Sequence, residues 1–257
     1  MHASLTLNLA TLCGFLLVLA RVSGLLAFVP IPGLAAGPDS SRAVLALALT
    51  VTLFPLWPHP PAEGLLIGRM LGWMIAEAGF GLTVGIAVSF LLEGVQLAAQ
   101  IVGLEAGYSF ASTIDPATQA DTTTLQMMAQ LFAGSLFFAL GFDRQVLRVL
   151  ASSLQSIPSG SYALTGSLVD AVARLGAGIF ATGLQLALPV LALTLLLDVA
   201  FAVLGRLHAQ LQLLSLSFAV KMLVSLAFLA SVLTLYPAVF EKFGAATFGT
   251  LLRFVNR

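Results

Sequence analysis

Charge is scarce in this sequence. Eleven Lys and Arg and eleven Asp and Glu make up 9% of its 257 residues, against about 25% in a soluble domain. So few ions cannot tile a water-facing surface, and most of the exterior must face lipid or other apolar protein. The signs also cancel, which removes the basic face that nucleic-acid binding requires. Cysteine is all but missing: Cys13 alone excludes an internal disulfide and leaves the redox compartment unread. None of the three histidines, His2, His59 and His208, has a partner at metal-ligand spacing. There is no glycine-flanked serine elbow and no phosphate-binding glycine loop followed by Lys-Ser or Lys-Thr. Neither catalysis nor a cofactor nor a metal is therefore expected. No tandem repeat stands out, and no polar segment is long enough to form a second domain.

Long apolar runs fill the space that charge leaves, with 59% of residues hydrophobic. A membrane helix needs about 20 mostly apolar residues, and six stretches meet or approach that length: 5–29, 43–57, 65–104, 125–142, 175–203 and 211–236. The first lacks the positive leading region of a secretory signal, since no Lys or Arg precedes Arg21. It reads as a membrane helix rather than a cleaved leader. The second is short and closes in Pro55, Pro58, Pro60 and Pro61. The third is too long for one straight crossing, so a bend or break is expected near Glu93-Gly94. The fifth contains Pro189. Residues 237–257 form a short amphipathic tail. The expected fold is all-α, a single membrane domain of about six apolar helices.

Three groups of residues stand out against this background. Arg21, Arg69, Glu77, Asp198 and Lys221 lie inside apolar runs, and Arg206 sits just past the fifth. Each costs about 2.5–3.5 kcal/mol at the centre of a membrane helix. An ion pathway would need acids clustered along one path. The alternating signs favour buried charge pairing that fixes helix register. Second, Gly68-x3-Gly72, Gly81-x3-Gly85 and Gly103-x3-Gly107 each place two glycines on one helix face. Such a stripe lets two backbones approach closely; the partner helix lies in this chain or in another. Third, residues 103–116 mix Gly107, Tyr108, Ser109, Phe110, Ile114, Asp115 and Pro116 directly after an apolar helix. Irregular backbone at membrane depth survives only inside protein or along a cavity. A pore loop or plug fits, and so does an ordinary surface loop.

The order of these features resembles one family. Arg21-Val22-Ser23-Gly24-Leu25-Leu26, then Pro30 and Arg42 ahead of an Ala/Leu helix, is similar to the N-terminal signature of the FliR family. The stretch from Ala98-Ala99-Gln100 to Glu105-Ala106-Gly107-Tyr108-Ser109-Phe110-Ala111, followed by Asp115-Pro116, resembles its central motif. Leu188-Pro189-Val190, Gly205-Arg206, Gln210-Leu211, Phe218 and Lys221 follow in the family's order, so that the likeness covers about residues 15–235. This chain departs from the pattern at Phe142-Asp143, at Ala209-Gln210-Leu211-Gln212 and at Phe218-Ala219-Val220-Lys221, as a divergent member would.

The resemblance implies a non-catalytic subunit of a type III export gate, built from helical hairpins in a helical hetero-oligomer. It implies FliP-like and FliQ-like partner subunits and an FlhB-like switch protein. Unfolded proteins would be the transported substrate, at the flagellar basal body in the bacterial inner membrane. The loop at 105–124 would plug the closed channel, with Tyr108, Phe110 and Ile114 filling a narrow lumen without charge. A flagellar system is favoured over an injectisome. From a different class, a secondary transporter or ion channel would use Glu77, Asp198 and the break at Pro189. Transporters commonly carry two related halves, and no such symmetry is visible here.

Overall fold

The computed structural model describes residues 9–29, 39–58, 67–108, 124–162, 165–207 and 213–255. Within them the chain is helical and no strand occurs. The α-helices are α1 Leu9–Phe28, α2 Asp39–Thr52, α3 Ile67–Glu105, α4 Thr124–Ala139, α5 Phe142–Ser156, α6 Gly166–Leu207, α7 Leu213–Val232 and α8 Tyr236–Val255. Short 3₁₀ turns lie at Phe54–Leu56 and Leu233–Leu235. Among the described residues, four helical stretches are long and apolar enough to cross a membrane: α1, α3, α6 and the continuous run Leu216–Val255. The α4–α5 pair makes a fifth if it counts as one span. The protein is thus an all-α integral membrane protein.

Several boundaries differ from those expected. α3 stays helical through Glu93 and Gly94 for 39 residues, about 58 Å of helix at 1.5 Å per residue. The glycine that suggested a break is instead a packing site. A Cβ on Gly94 would lie 3.3 Å from the Thr182 methyl and 3.8 Å from the Phe243 ring. The second apolar run gives only the 14-residue α2, about 21 Å and short of the ~30 Å hydrocarbon core. The fourth run stops at Ala139, and Gly141, at φ +69°, redirects the chain into α5. α5 falls in a stretch that reads as polar. Its buried positions Phe142, Val146, Val149, Leu150 and Ser153 recur at helical spacing, so one face packs while Arg144 and Arg148 point outward. In place of a short tail stands α8, Tyr236–Val255, 20 residues long with Phe240 and Phe248 fully buried.

The chain divides into two compact units. The first comprises Met1–Phe90, Gly141–Gly176 and Ala245–Arg257, and the second Leu91–Leu140 and Ala177–Gly244. In the first, Leu17, Val18, Val22 and Leu25 of α1 bury alongside Val84, Ala87 and Val88 of α3 and Leu150 of α5. In the second, Leu91, Val95 and Ala98 of α3 bury with Phe137 of α4, Ala187 and Val190 of α6 and Phe240 of α8.

Glycine sets the α1–α3 distance in the first unit. A methyl on Gly81 would overlap the Arg21 carbonyl and lie 2.7 Å from Leu25 N; one on Gly85 would lie 2.6 Å from Leu25 O. From the other side, a methyl on Gly24 would overlap the Ala78 carbonyl and lie 3.1 Å from Leu82 N. The two backbones therefore touch, as small-residue stripes permit where water gives no hydrophobic drive. Gly68 and Gly72, by contrast, have no neighbour within 4 Å of a Cβ among the described residues.

These environments predict opposite outcomes for one substitution. Gly81→Ala forces backbone apart and should destabilise the purified chain by about 1–3 kcal/mol, the usual range for overpacking. Gly72→Ala meets nothing and should be neutral or stabilising by about 0.5–1 kcal/mol, since alanine is the better helix former. Thermal unfolding in detergent distinguishes them; equal midpoints would show that the α1–α3 contact is not tight.

Candidate functional site

Among the described residues two polar clusters interrupt the apolar packing, one in each unit. The first is centred on Arg21, which lies near the end of α1 at 1% exposure. Its Nε donates to Glu77 Oε2 on α3, and its Nη1 donates to Ser153 Oγ on α5 at 2.9 Å. The guanidinium lies 4.8 Å from the centroid of the Phe80 ring, within cation–π range. Glu77 is equally buried, and its other oxygen, Oε1, accepts the Gly160 N–H at 3.1 Å. Ser153 passes its own proton to the Leu150 carbonyl at 2.7 Å. Both carboxylate oxygens are thus engaged, which is the condition under which a buried pair is tolerable.

The loop after α5 closes this network. Gly160 has φ +76°, and the Trp73 indole lies against it so closely that any Cβ would overlap the ring. Only glycine allows both the turn and the approach that brings its N–H to Glu77. Two residues on, Tyr162 stacks edge-on against Phe80, with centroids 5.4 Å apart, and its hydroxyl meets Thr83 Oγ1 at 2.6 Å. Thr83 gives its proton to the Gly79 carbonyl at 2.8 Å, so the Tyr162 phenol donates in that pair. Burial raises the Tyr162 pKa above its ordinary value, in keeping with a phenol that donates.

The second cluster gathers at the end of α3. Lys221 on α7 bonds Asp198 Oδ2 on α6 at 2.7 Å and lies 3.8 Å from Glu105 Oε2. α3 ends in a paired hydrogen-bond cap: Tyr108 N–H reaches Gly103 O at 2.9 Å and Gly107 N–H reaches Leu104 O at 3.2 Å. Gly107, at φ +86°, takes the left-handed position that this cap requires. The Tyr108 hydroxyl then donates to the Met222 carbonyl on α7 at 2.7 Å, and a Cβ on Gly107 would lie 3.3 Å from the Phe218 ring. The last residues of α3 are therefore moored on α7. Ser109, Phe110, Ile114, Asp115 and Pro116 lie outside the described residues.

Of the charges singled out from sequence, the structure brings together Arg21 with Glu77 and Lys221 with Asp198. Arg69 and Arg206 are exposed, near opposite ends of α3 and α6. Arg206 falls in the last turn of its helix, where a cation complements the carbonyl end. Gly81 and Gly85 pack on α1 of the same chain, whereas Gly103 and Gly107 serve the α3 cap. Sequence reading missed Ser153, Gly160, Trp73 and Phe80. The apolar period of α5 and the Pro158-Ser159-Gly160 turn are the signals that bear on the first two.

Comparison with known proteins gives a consistent picture. The family model described as bacterial export proteins, family 1, matches residues 12–246. The chain is 27% identical over 240 residues to the flagellar biosynthetic protein FliR of Escherichia coli, covering 93% of this chain and 91% of that protein. It is 26% identical over 214 residues to the protein of that name from Bacillus subtilis, covering 82% of each. The Caulobacter vibrioides counterpart is 24% identical over 216 residues, covering 83% of this chain and 86% of its own. The resemblance to the FliR family read from the motifs is borne out by these matches.

Removing one member of the buried pair strands the other. Arg21→Leu or Glu77→Leu should destabilise the protein by about 3–5 kcal/mol, and the double replacement should cost less than the sum. Ser153→Ala should cost about 1–3 kcal/mol, because the Arg21 N–H loses its acceptor. Unfolding free energies from a denaturant series would check the cycle; additive single and double effects would mean that the pair is not coupled.

Proposed function

Because the chain belongs to the bacterial export proteins, family 1, we propose that it is a gating and structural subunit of the flagellar type III protein export apparatus. In this reading it lines the export channel with FliP-like and FliQ-like subunits in the inner membrane at the flagellar basal body. An FlhB-like switch protein docks on the assembly, and unfolded flagellar proteins pass through. The role is mechanical: residues 105–124 close the lumen at rest, and partners supply the energy. The relatives named above are all flagellar, which favours that system over an injectisome.

The observation that carries the gating role is the mooring of α3 on α7. A plug must begin from a fixed point, or it cannot seal against ions. Gly107 turns the chain out of α3, Tyr108 ties it to the Met222 carbonyl, and Lys221 sits between Asp198 and Glu105 beside that exit. The segment that follows holds no Lys or Arg from 109 to 124. It therefore offers no fixed cation to trap a passing chain. Leu195, Leu196 and Val199 of α6 and Leu223 of α7 are 55–70% exposed, apolar surface suited to lipid or to sister subunits.

Two experiments test this reading. Co-expression with FliP-like and FliQ-like proteins should yield a stable hetero-oligomer; a monodisperse chain that takes up a small solute alone would sink the export role. Deleting residues 109–114 while keeping Tyr108 should leave that complex intact and raise the ion conductance of membranes containing it. An intact complex with unchanged conductance would remove the plug assignment.

A further inference from the structure

The first unit carries a second feature that neither the pair at Arg21 nor the export role uses. A groove of about 920 Å³ runs between the beginning of α6 and the end of α8. Ser167, Arg174 and Leu175 line it from α6, and Thr250, Arg253 and Phe254 from α8. On α6 these positions are spaced by seven and eight residues, and on α8 by three and four, so each set shares one helix face. Both arginines are exposed. Arg21 and Lys221 have carboxylate partners, but neither Arg174 nor Arg253 bonds a carboxylate among the described residues. Asp170, one turn before Arg174, is not among the lining side chains.

We propose that this groove binds the phosphate headgroup of an anionic membrane phospholipid. The chemistry selects that ligand in three steps. Two guanidinium forks present donors to a phosphodiester, the group that Arg geometry matches best, with the Ser167 hydroxyl beside them; Thr250 spends its own proton on the Ala246 carbonyl. Leu175 and Phe254 add apolar wall beside the donors, which suits a ligand whose charged head continues into an acyl chain. Among the described residues no acidic side chain lines the groove to receive the amine of a zwitterionic lipid. Position agrees, since both segments lie at the ends of long apolar stretches. α6 has 42 residues, about 63 Å of helix, so part of it extends beyond a ~30 Å core to headgroup depth. Basic pockets between membrane helices commonly hold anionic headgroups.

The test uses the purified full chain in nonionic detergent. Wild-type protein is titrated with phosphatidylglycerol, phosphatidylcholine or inorganic phosphate, and bound lipid is counted by native mass spectrometry. Phosphatidylglycerol should bind preferentially, with affinity falling as salt rises. The R174Q/R253Q protein should bind it about tenfold more weakly, the scale of losing a charge-assisted hydrogen bond, while its unfolding midpoint without lipid is unchanged. Equal binding of both lipids by wild type overturns the proposal without recourse to any variant. So does inorganic phosphate that displaces the lipid at equal concentration, which would make this a small-anion site. A well-folded R174Q/R253Q protein that keeps the lipid preference also overturns it.

Discussion

The Arg21–Glu77 pair is the constraint around which the first unit is organised. In a chain this poor in charge, an ion at 1% exposure is affordable only when every polar atom around it is met. That requirement ties together four separate segments. α1 brings the cation and α3 the anion. α5 brings the serine that accepts the second guanidinium N–H. The loop before α6 brings the backbone amide that occupies the second carboxylate oxygen. Apolar contacts alone are nearly indifferent to a small slide of one helix along another, because lipid tails and leucines look alike. A directional, buried pair is not indifferent. It fixes the register of α1 on α3 in a way the surrounding Leu and Val residues cannot.

Glycine makes that pair possible. Gly24, Gly81 and Gly85 let α1 and α3 touch backbone to backbone, and the contact involves the carbonyl of Arg21 itself. The same residue therefore meets α3 through its main chain and through its guanidinium. Widening the contact by one methyl would pull the guanidinium from its carboxylate. Gly160 does the equivalent for the loop, since only a residue without Cβ fits beneath Trp73 while keeping its N–H on Glu77. Packing and electrostatics are one constraint here, because each fixes the distance that the other needs.

The helical class and most apolar runs were legible from sequence because long hydrophobic stretches without charge have few other outcomes. Of the charges expected to be buried and paired, Arg21 with Glu77 and Lys221 with Asp198 do meet, while Arg69 and Arg206 lie exposed near helix ends, where an ion can reach water. What failed was local and has a physical reason in each case. Gly94 suggested a break because glycine weakens an isolated helix, but tertiary packing supplies what propensity withholds: the missing side chain makes room for Thr182 and Phe243. The pattern Gly103-x3-Gly107 looked like a packing stripe, yet a glycine at a helix end is equally demanded by the left-handed cap. Spacing cannot separate the two uses unless the end of the helix is known. α5 was passed over because its polar face dilutes the average hydropathy, while its apolar period was there to be counted. The Ser153 and Gly160 contributions were not recoverable, because nothing in the order of residues says which polar group will meet which across 83 positions.

The two charge clusters differ in a way that suits different tasks. Arg21 and Glu77 are sealed, with side chains 1–2% exposed, and their network has little freedom to change. Lys221 is held less tightly: its side chain is 13% exposed, Asp198 is half exposed, and Glu105 stands off at 3.8 Å. A cation between two carboxylates at unequal distance can shift its allegiance without losing its charge partner, whereas a sealed pair can only break. Solvent access lowers the energy of each arrangement and the difference between them. The second cluster lies where α3 ends and the candidate plug begins. On the proposed gating role, a plug that starts there needs an anchor that holds at rest and yields at modest cost. A half-exposed triad meets that demand, and a buried pair would not.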